Sequence, residues 1–199
     1  MYMMELRKRL QTAEEEQKEQ ERKRNRLLYQ ADHDELTGLY NKRSLNRYLV
    51  FEDCLLNEKE LGILFLDIDH FKQLNDRYGH GRGDEGICAV ADTLKKCFPE
   101  DYVARYGGDE FLVVMTGRDR EYAEEHARQL CMGIRECEIP NEDSSVEPWL
   151  TISVGGVCAI PKEPNRVWDF LSAADKTLYD QKNEQKGKVR FYVGEGQYL

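Results

Sequence analysis

Leu61-Gly-Ile-Leu-Phe-Leu-Asp-Ile68 is a continuous apolar run that ends in carboxylates, Asp67 within it and Asp69 just beyond. An unbroken run of this length reads as a strand buried on both faces, which requires helices above and below it. Upstream, Asn41 is placed to cap a helix from about Lys42 to Asn57. Downstream, a helical stretch is expected from about Phe71 to Tyr78. A second, from about Gly83 to Cys97, sets Ile87, Val90, Ala91, Leu94 and Phe98 on one face. Tyr102 to Arg105 and Glu110 to Thr116 flank Gly107-Gly108, the pattern of a tight hairpin. An amphipathic helix carrying Ala123, Ala127, Leu130 and Ile134 follows. Then come a strand from Leu150 to Ala159, a helix from Val167 to Gln181 and a short strand from Val189 to Val193. This order predicts an α/β (α+β) sandwich with a central mixed sheet of about five strands flanked by helices. The acidic loop from Glu138 to Pro148 shows little chemistry of its own.

Residues 1–31 are nearly all helix formers, without Gly or Pro. Met3, Leu6, Leu10, Ala13, Gln17, Gln20, Arg24, Leu27 and Ala31 recur at alternating spacings of four and three, a coiled-coil frame with a polar middle. The expected organisation is a coiled-coil stalk over 1–31 and a globular domain over 32–199. A solvated charged helix is the plainer reading of the same residues. The formal charge of -9 argues against a nucleic-acid binder or a membrane-surface protein. The six cysteines include no C-x-x-C pair, which fits buried thiols in a reducing cytoplasm. No apolar run approaches the roughly 18 residues of a membrane span, and no signal-peptide pattern opens the chain. A cytoplasmic location is therefore expected, either by itself or as the cytoplasmic end of a larger sensor protein.

Asp67 lies at the C-terminal end of the buried strand, the edge where open α/β sheets place ligands. Asp109 and Glu110 follow a Gly-Gly turn that lets another molecule approach the backbone closely. Carboxylates from two neighbouring strand ends make a hard-oxygen site suited to Mg²⁺, with substrate phosphates completing the shell. Two such ions about 4 Å apart can flank an in-line phosphoryl displacement. Successive strand residues alternate faces, so Asp109 and Glu110 are not expected to share one task. Asp69 is read as a cap for the following helix.

Arg105-Tyr-Gly-Gly-Asp-Glu-Phe111 resembles the signature of GGDEF-domain diguanylate cyclases. Asp34-Glu-Leu-Thr-Gly-Leu-Tyr-Asn-Lys-Arg43 is similar to the family's opening D-x-L-T-G-L-x-N-R-R. Leu66-Asp-Ile-Asp-His-Phe-Lys72 and Asn75-Asp-Arg-Tyr-Gly-His-Gly-Arg-Gly-Asp84 resemble its central motifs. Ser153-Val-Gly-Gly156 and Ala174-Asp-Lys-Thr-Leu-Tyr179 resemble the late ones. The likeness runs from about residue 32 to 193, in order and at family spacing.

The resemblance implies a palm-like nucleotidyl-cyclase fold and condensation of two GTP into cyclic di-GMP and two pyrophosphates. Asp67 and Asp109, with the carbonyl of Ile68, would hold Mg²⁺, two ions per site, with Mn²⁺ a substitute. Asn75 and Asp84 would read guanine, whose edge an amide and a carboxylate complement. His80 would lie beside the nucleotide, Lys72 would stabilise phosphate charge, and Lys182 and Lys186 would grip the triphosphate. Asp109 or Glu110 would help deprotonate the attacking 3′-hydroxyl. Gly107 and Gly108 would let substrate lie against the hairpin. A homodimer is implied, joined through the substrate-bearing face and the N-terminal helix.

The sequence departs from the family pattern in three places. Aspartate stands third in the signature, where family members use it interchangeably with glutamate. Lys186 replaces an arginine, a point charge for a bidentate fork. Phe98-Pro-Glu-Asp101 stands where the family's product-inhibition site reads R-x-x-D, so the arginine is lost and Asp101 remains. Two other functions use the same residues. One is a degenerate domain that binds GTP or cyclic di-GMP without turnover; the other is a mononucleotide cyclase or polymerase-like palm.

Overall fold

The computed structural model describes residues 2–55, 59–161 and 167–192. The elements are α1 (Tyr2–Asp32), β1 (Tyr40–Asn41), α2 (Lys42–Leu55), β2 (Leu61–Ile68), α3 (Phe71–Tyr78), α4 (His80–Cys97), β3 (Tyr102–Gly107), β4 (Glu110–Thr116), α5 (Arg120–Arg135), β5 (Ile152–Ala159), α6 (Val167–Glu184) and β6 (Val189–Phe191). Asn57, Val193 and the side chains of Leu6, Leu10, Ala13 and Cys54 lie outside the described residues.

The strands form one mixed sheet in the order β1-β3-β4-β2-β5-β6. β2 runs antiparallel to both β4 and β5, while the outer pairs β1–β3 and β5–β6 are parallel. The apolar run 61–68 is thus a central strand, and its two faces feed two cores. Leu61, Ile63 and Phe65 pack with Leu45, Phe170, Ala174 and Leu178 of α2 and α6. Leu64, Leu66 and Ile68 pack with Leu74, Leu94, Leu130 and others of α3, α4 and α5. Each fully buried Leu or Ile contributes about 1.5–3 kcal/mol relative to exposure, which is why an alternating strand could not stand here.

The sheet has six strands rather than five. The additional strand is β1, two residues paired in parallel with Ala104 and Arg105 of β3. Two residues show no periodicity, so sequence pattern cannot reveal such a strand. α4 begins at His80, three residues before the expected start, and α6 extends to Glu184.

α6 rests almost backbone to backbone on β5. A Cβ at Gly155 would lie 2.2 Å from the Leu178 nitrogen and 2.4 Å from the Ala174 oxygen, so only glycine fits. At the other side of the domain, α1 is joined by a densely bonded junction. The Asn41 side-chain amide donates to the carbonyls of Ala31 (3.0 Å) and His33 (3.3 Å), which end α1. Its oxygen accepts from the Ser44 amide at 2.9 Å, which caps α2 as expected. The rings of Tyr29, His33, Tyr40, Tyr102 and Tyr48 form a continuous row, stacked except for a tilted His33–Tyr40 contact, with centroid separations between 3.8 and 4.6 Å. Along α1, Met3, Leu27 and Leu28 are exposed. No helix among the described residues is long and apolar enough to cross a membrane.

Candidate active site

The C-terminal end of β2, the β3–β4 turn and the last turn of α6 meet at one edge of the sheet. Lys182 Nζ lies 2.7 Å from Asp67 Oδ1. Burial pushes the Asp67 carboxyl up to about 6; Lys182 pulls against that rise, and the charges of Asp109 and Asp69 add to it. Asp67 is paired across the sheet with Glu110 on one side and Ser153 on the other. The Ile68 amide donates to the Asp109 carbonyl at 3.2 Å, which fastens the hairpin turn to the strand end.

The β3–β4 register shifts between Arg105 and Gly107, so Tyr106 is bulged and Gly107 stands opposite Glu110. A Cβ at Gly108 would meet nothing within 4 Å, so the turn borders open space. From behind, Arg105 grips this turn. Its Nε and Nη2 donate to the Gly108 carbonyl at 3.0 and 2.7 Å, and its Nη1 donates to both oxygens of Asp34. Asp34 also accepts from the Thr37 amide and hydroxyl at 3.0 and 2.7 Å. Asp34, Thr37 and Arg105 therefore support the site, a role the sequence reading did not assign them. The available signal was the Asp-x-x-Thr spacing of a side-chain turn and an arginine placed just before Gly-Gly.

Lys72 and Asn75 lie on α3, which starts two residues after Asp69; His80 and Asp84 lie on the first turns of α4. Lys72, His80 and Asp84 are exposed. Asn75 Oδ1 is buried without a hydrogen-bond partner, pressed against Gly83, where a Cβ would come within 2.0 Å of it. Lys186 is half-buried in the turn between α6 and β6. The structure thus gathers Asp67, Asp109 and Lys182 directly, and sets the other candidates along the α3–α4 corner and the α6–β6 turn.

Asp69 is not a helix cap. It is fully buried, and the residue preceding α3 is His70, in left-handed backbone (φ 56°) with no side-chain cap. Asp69 instead accepts from the hydroxyls of Thr151 (2.9 Å) and Ser153 (2.6 Å), partners 82 and 84 residues away that no local pattern announces. Far from this edge, Phe98 is buried in the α4 core, its ring 5.8 Å from that of His126. Asp101 accepts from the Tyr122 hydroxyl at 2.9 Å and lies 3.9 Å from Arg118, its side chain 3% exposed. Cys88, Cys97, Cys131, Cys137 and Cys158 are free thiols.

The donor set fits a hard divalent cation. Asp67 and Asp109 crowd like charges that a cation would neutralise, and Lys182 already lies against the Asp67 oxygen. Among the described residues no three His, Cys, Asp or Glu side chains form a metal cage by themselves. Two carboxylates make only part of a hard cation's oxygen shell.

The model of the family described as "Diguanylate cyclase, GGDEF domain" matches residues 31–188. The chain is 34% identical over 169 residues to "Probable diguanylate cyclase DgcC" of Escherichia coli strain K12, covering 83% of this chain and 44% of that one. It is 31% identical over 182 residues to "Cyclic di-GMP phosphodiesterase NbdA" of Pseudomonas aeruginosa, covering 84% of this chain and 23% of the other. The chain thus spans less than half the length of these curated relatives. Its fold is that of the coiled coil and GGDEF domain of DgcB from Caulobacter crescentus, solved in complex with c-di-GMP. That match has a TM-score of 0.81 and 24% identity, and covers 94% of this chain and 99% of that one.

Proposed function

The chain belongs to the GGDEF domain family, and from that premise we propose that it is an active diguanylate cyclase, joining two GTP into cyclic di-GMP with release of two pyrophosphates. The observation that carries this reading is the meeting of Asp67, Asp109 and Lys182 at the sheet edge. Asp67, Asp109 and the Ile68 carbonyl would hold Mg²⁺, or Mn²⁺ in its place. Two such ions, when bound, would neutralise phosphate charge and make the attacking hydroxyl more acidic.

Lys182 and Lys186 hold the triphosphate and Lys72 stabilises the charge that develops on it. With a cation held by Asp67, Lys182, which now lies against that carboxylate, would be free to reach the phosphates. Asn75 and Asp84 read the guanine edge, with His80 beside the nucleotide. The unpartnered oxygen of Asn75 marks an amide whose hydrogen-bonding capacity the protein leaves unfilled. Asp109 or Glu110 takes the proton of the 3′-hydroxyl. The open space over Gly108 leaves room for substrate along the hairpin.

Each domain presents one GTP, so turnover needs two domains face to face, each 3′-hydroxyl attacking the partner's α-phosphate. The exposed apolar side chains of α1 suit a parallel stalk that brings the domains together. Its polar Gln17, Gln20 and Arg24 keep that association weak. Replacing these three with leucine should raise both the dimer fraction in sedimentation and the specific activity; tighter dimers without faster turnover would exclude a regulatory stalk.

A degenerate domain that binds without turnover would be expected to lack one of Asp67, Asp109 or Glu110, and this chain keeps all three. Mass spectrometry of the product after incubation with GTP and Mg²⁺ decides. Cyclic di-GMP supports the proposal, while unchanged GTP or a mononucleotide cyclic product refutes it.

A further inference from the structure

Asp69 is the one fully buried carboxylate among the described residues, and the proposed metal set does not use it. Its Oδ2 accepts from Thr151 Oγ1 at 2.9 Å and its Oδ1 from Ser153 Oγ at 2.6 Å. An ionised carboxylate can only accept, so the hydroxyl proton of Ser153 is committed to it. The lone pairs of that hydroxyl are left for a donor, and the Gly187 amide supplies it at 3.1 Å.

Gly187 lies in the turn between α6 and β6, one residue after Lys186. The turn is drawn deep. Gly187 has φ 73°, and a Cβ on it would come within 2.6 Å of Val146 Cγ1. A second bond, from the Val154 amide to the Lys188 carbonyl at 3.0 Å, pins the next residue to β5. Lys182 is held separately, by its contact with Asp67.

Burying a carboxylate costs stability that an uncharged group would not. What the carboxylate contributes is direction, because an amide at 69 could donate to Ser153 and draw the lone pairs of its oxygen away from the Gly187 amide. A charge-assisted O–H···O⁻ bond of this length is among the stronger kinds.

We propose that Asp69 is a positioning residue: through Ser153 it holds the Gly187 amide and so sets Lys186 for the β- and γ-phosphates of the substrate. The inference rests on the reading of Lys186 as a triphosphate ligand.

Calorimetry on the full chain with Mg²⁺ tests it, using α,β-methylene GTP as a non-cleavable triphosphate and GMP as a ligand without the outer phosphates. Ser153→Ala should weaken triphosphate binding roughly five- to thirtyfold, the scale of one lost hydrogen bond, and leave GMP binding within about twofold. Lys186→Ala should do the same, and the double variant should be no worse than Lys186→Ala alone, because both changes break one chain of contacts. Asp69→Asn gives a second route to the same selective loss if Ser153→Ala unfolds.

Wild-type triphosphate affinity in both Ser153→Ala and Asp69→Asn would overturn the inference. So would an equal loss for GMP, which marks a merely structural role, or multiplicative losses in the double variant. If Lys186→Ala binds the triphosphate as the wild type does, the reading of that lysine falls and the inference falls with it.

Discussion

Asp34 and Asp67 are both largely covered carboxylates, with side chains 24% and 14% exposed, and each has a basic side chain against it. The protein treats them oppositely. At Asp34 burial raises the carboxyl, but the Thr37 hydroxyl, Arg105 and the Thr37 amide outweigh it and hold the group below its ordinary value. At Asp67 burial prevails over Lys182, and the charges of Asp109 and Asp69 add to it. The junction under α1 thus satisfies its polar groups internally, and the edge at Asp67 keeps charge in a place where the protein alone does not stabilise it. The first arrangement serves rigidity. The second suits a cation and phosphates arriving from outside.

The largest effect should come from removing the unstabilised side of this contrast. Asp109→Ala should lower turnover by roughly a hundredfold or more while leaving a cooperative thermal melt. Near-native activity in that variant would end the two-metal assignment.

Next in size is the junction. Asp34→Ala leaves Arg105 without its carboxylate and breaks the Thr37 turn, which should cost about 2–4 kcal/mol in denaturant unfolding at pH 7. The folded-state value lies below the usual 3.8, so the part of this cost that depends on the carboxylate's charge is present above that pH and disappears as pH falls through the folded value. A cost that persists undiminished in strong acid would show that the carboxylate's charge is not what matters.

The opposite sign is expected at the edge. The native protein keeps a proton on Asp67 between about pH 4 and 6 that the unfolded chain has released, so stability falls as pH rises through that window. Asp67→Asn, measured without divalent metal, should therefore stabilise the protein above pH 6, by on the order of 1–3 kcal/mol. The gain should vanish below about pH 4, and a destabilised variant at pH 8 would reverse the contrast.

The smallest expected effect concerns a third carboxylate. Asp101 is engaged by Tyr122 and Arg118 and faces no arginine at 98, so it resembles Asp34 rather than Asp67. Added cyclic di-GMP should barely slow the initial rate at saturating GTP. Strong inhibition at low micromolar product, undiminished by GTP, would reveal a feedback site elsewhere.

Much of the scaffold was legible in the sequence because burial leaves a periodic trace. The 61–68 run, the Gly-Gly hairpin and the face of α5 carrying Ala123, Ala127, Leu130 and Ile134 all stand as expected. Asn41 caps its helix, yet nothing in the sequence shows that the same amide also closes α1. The unexpected features are those made by distant partners. Arg105 meets Asp34 across 71 residues, and Asp69 finds its hydroxyls on β5, so a local reading made it a cap. The acidic loop was silent in sequence for the same reason. Folded, it lays Ser145 Oγ 3.0 Å from His70 Nε2 and pairs Glu142 and Asp143 with Arg77 of α3.

Gly155 carries a lesson for how such a protein can decay in evolution. A single added methyl would fall 2.2 Å from the Leu178 nitrogen, and α6 would have to lift to admit it. Lys182 lies one helical turn beyond Leu178, so it would rise away from Asp67 with the helix. A lineage could thus lose competence while every carboxylate and lysine of its signature survives untouched. Whether a descendant remains competent is therefore written as much in a neutral, buried glycine as in the acidic residues that name the family.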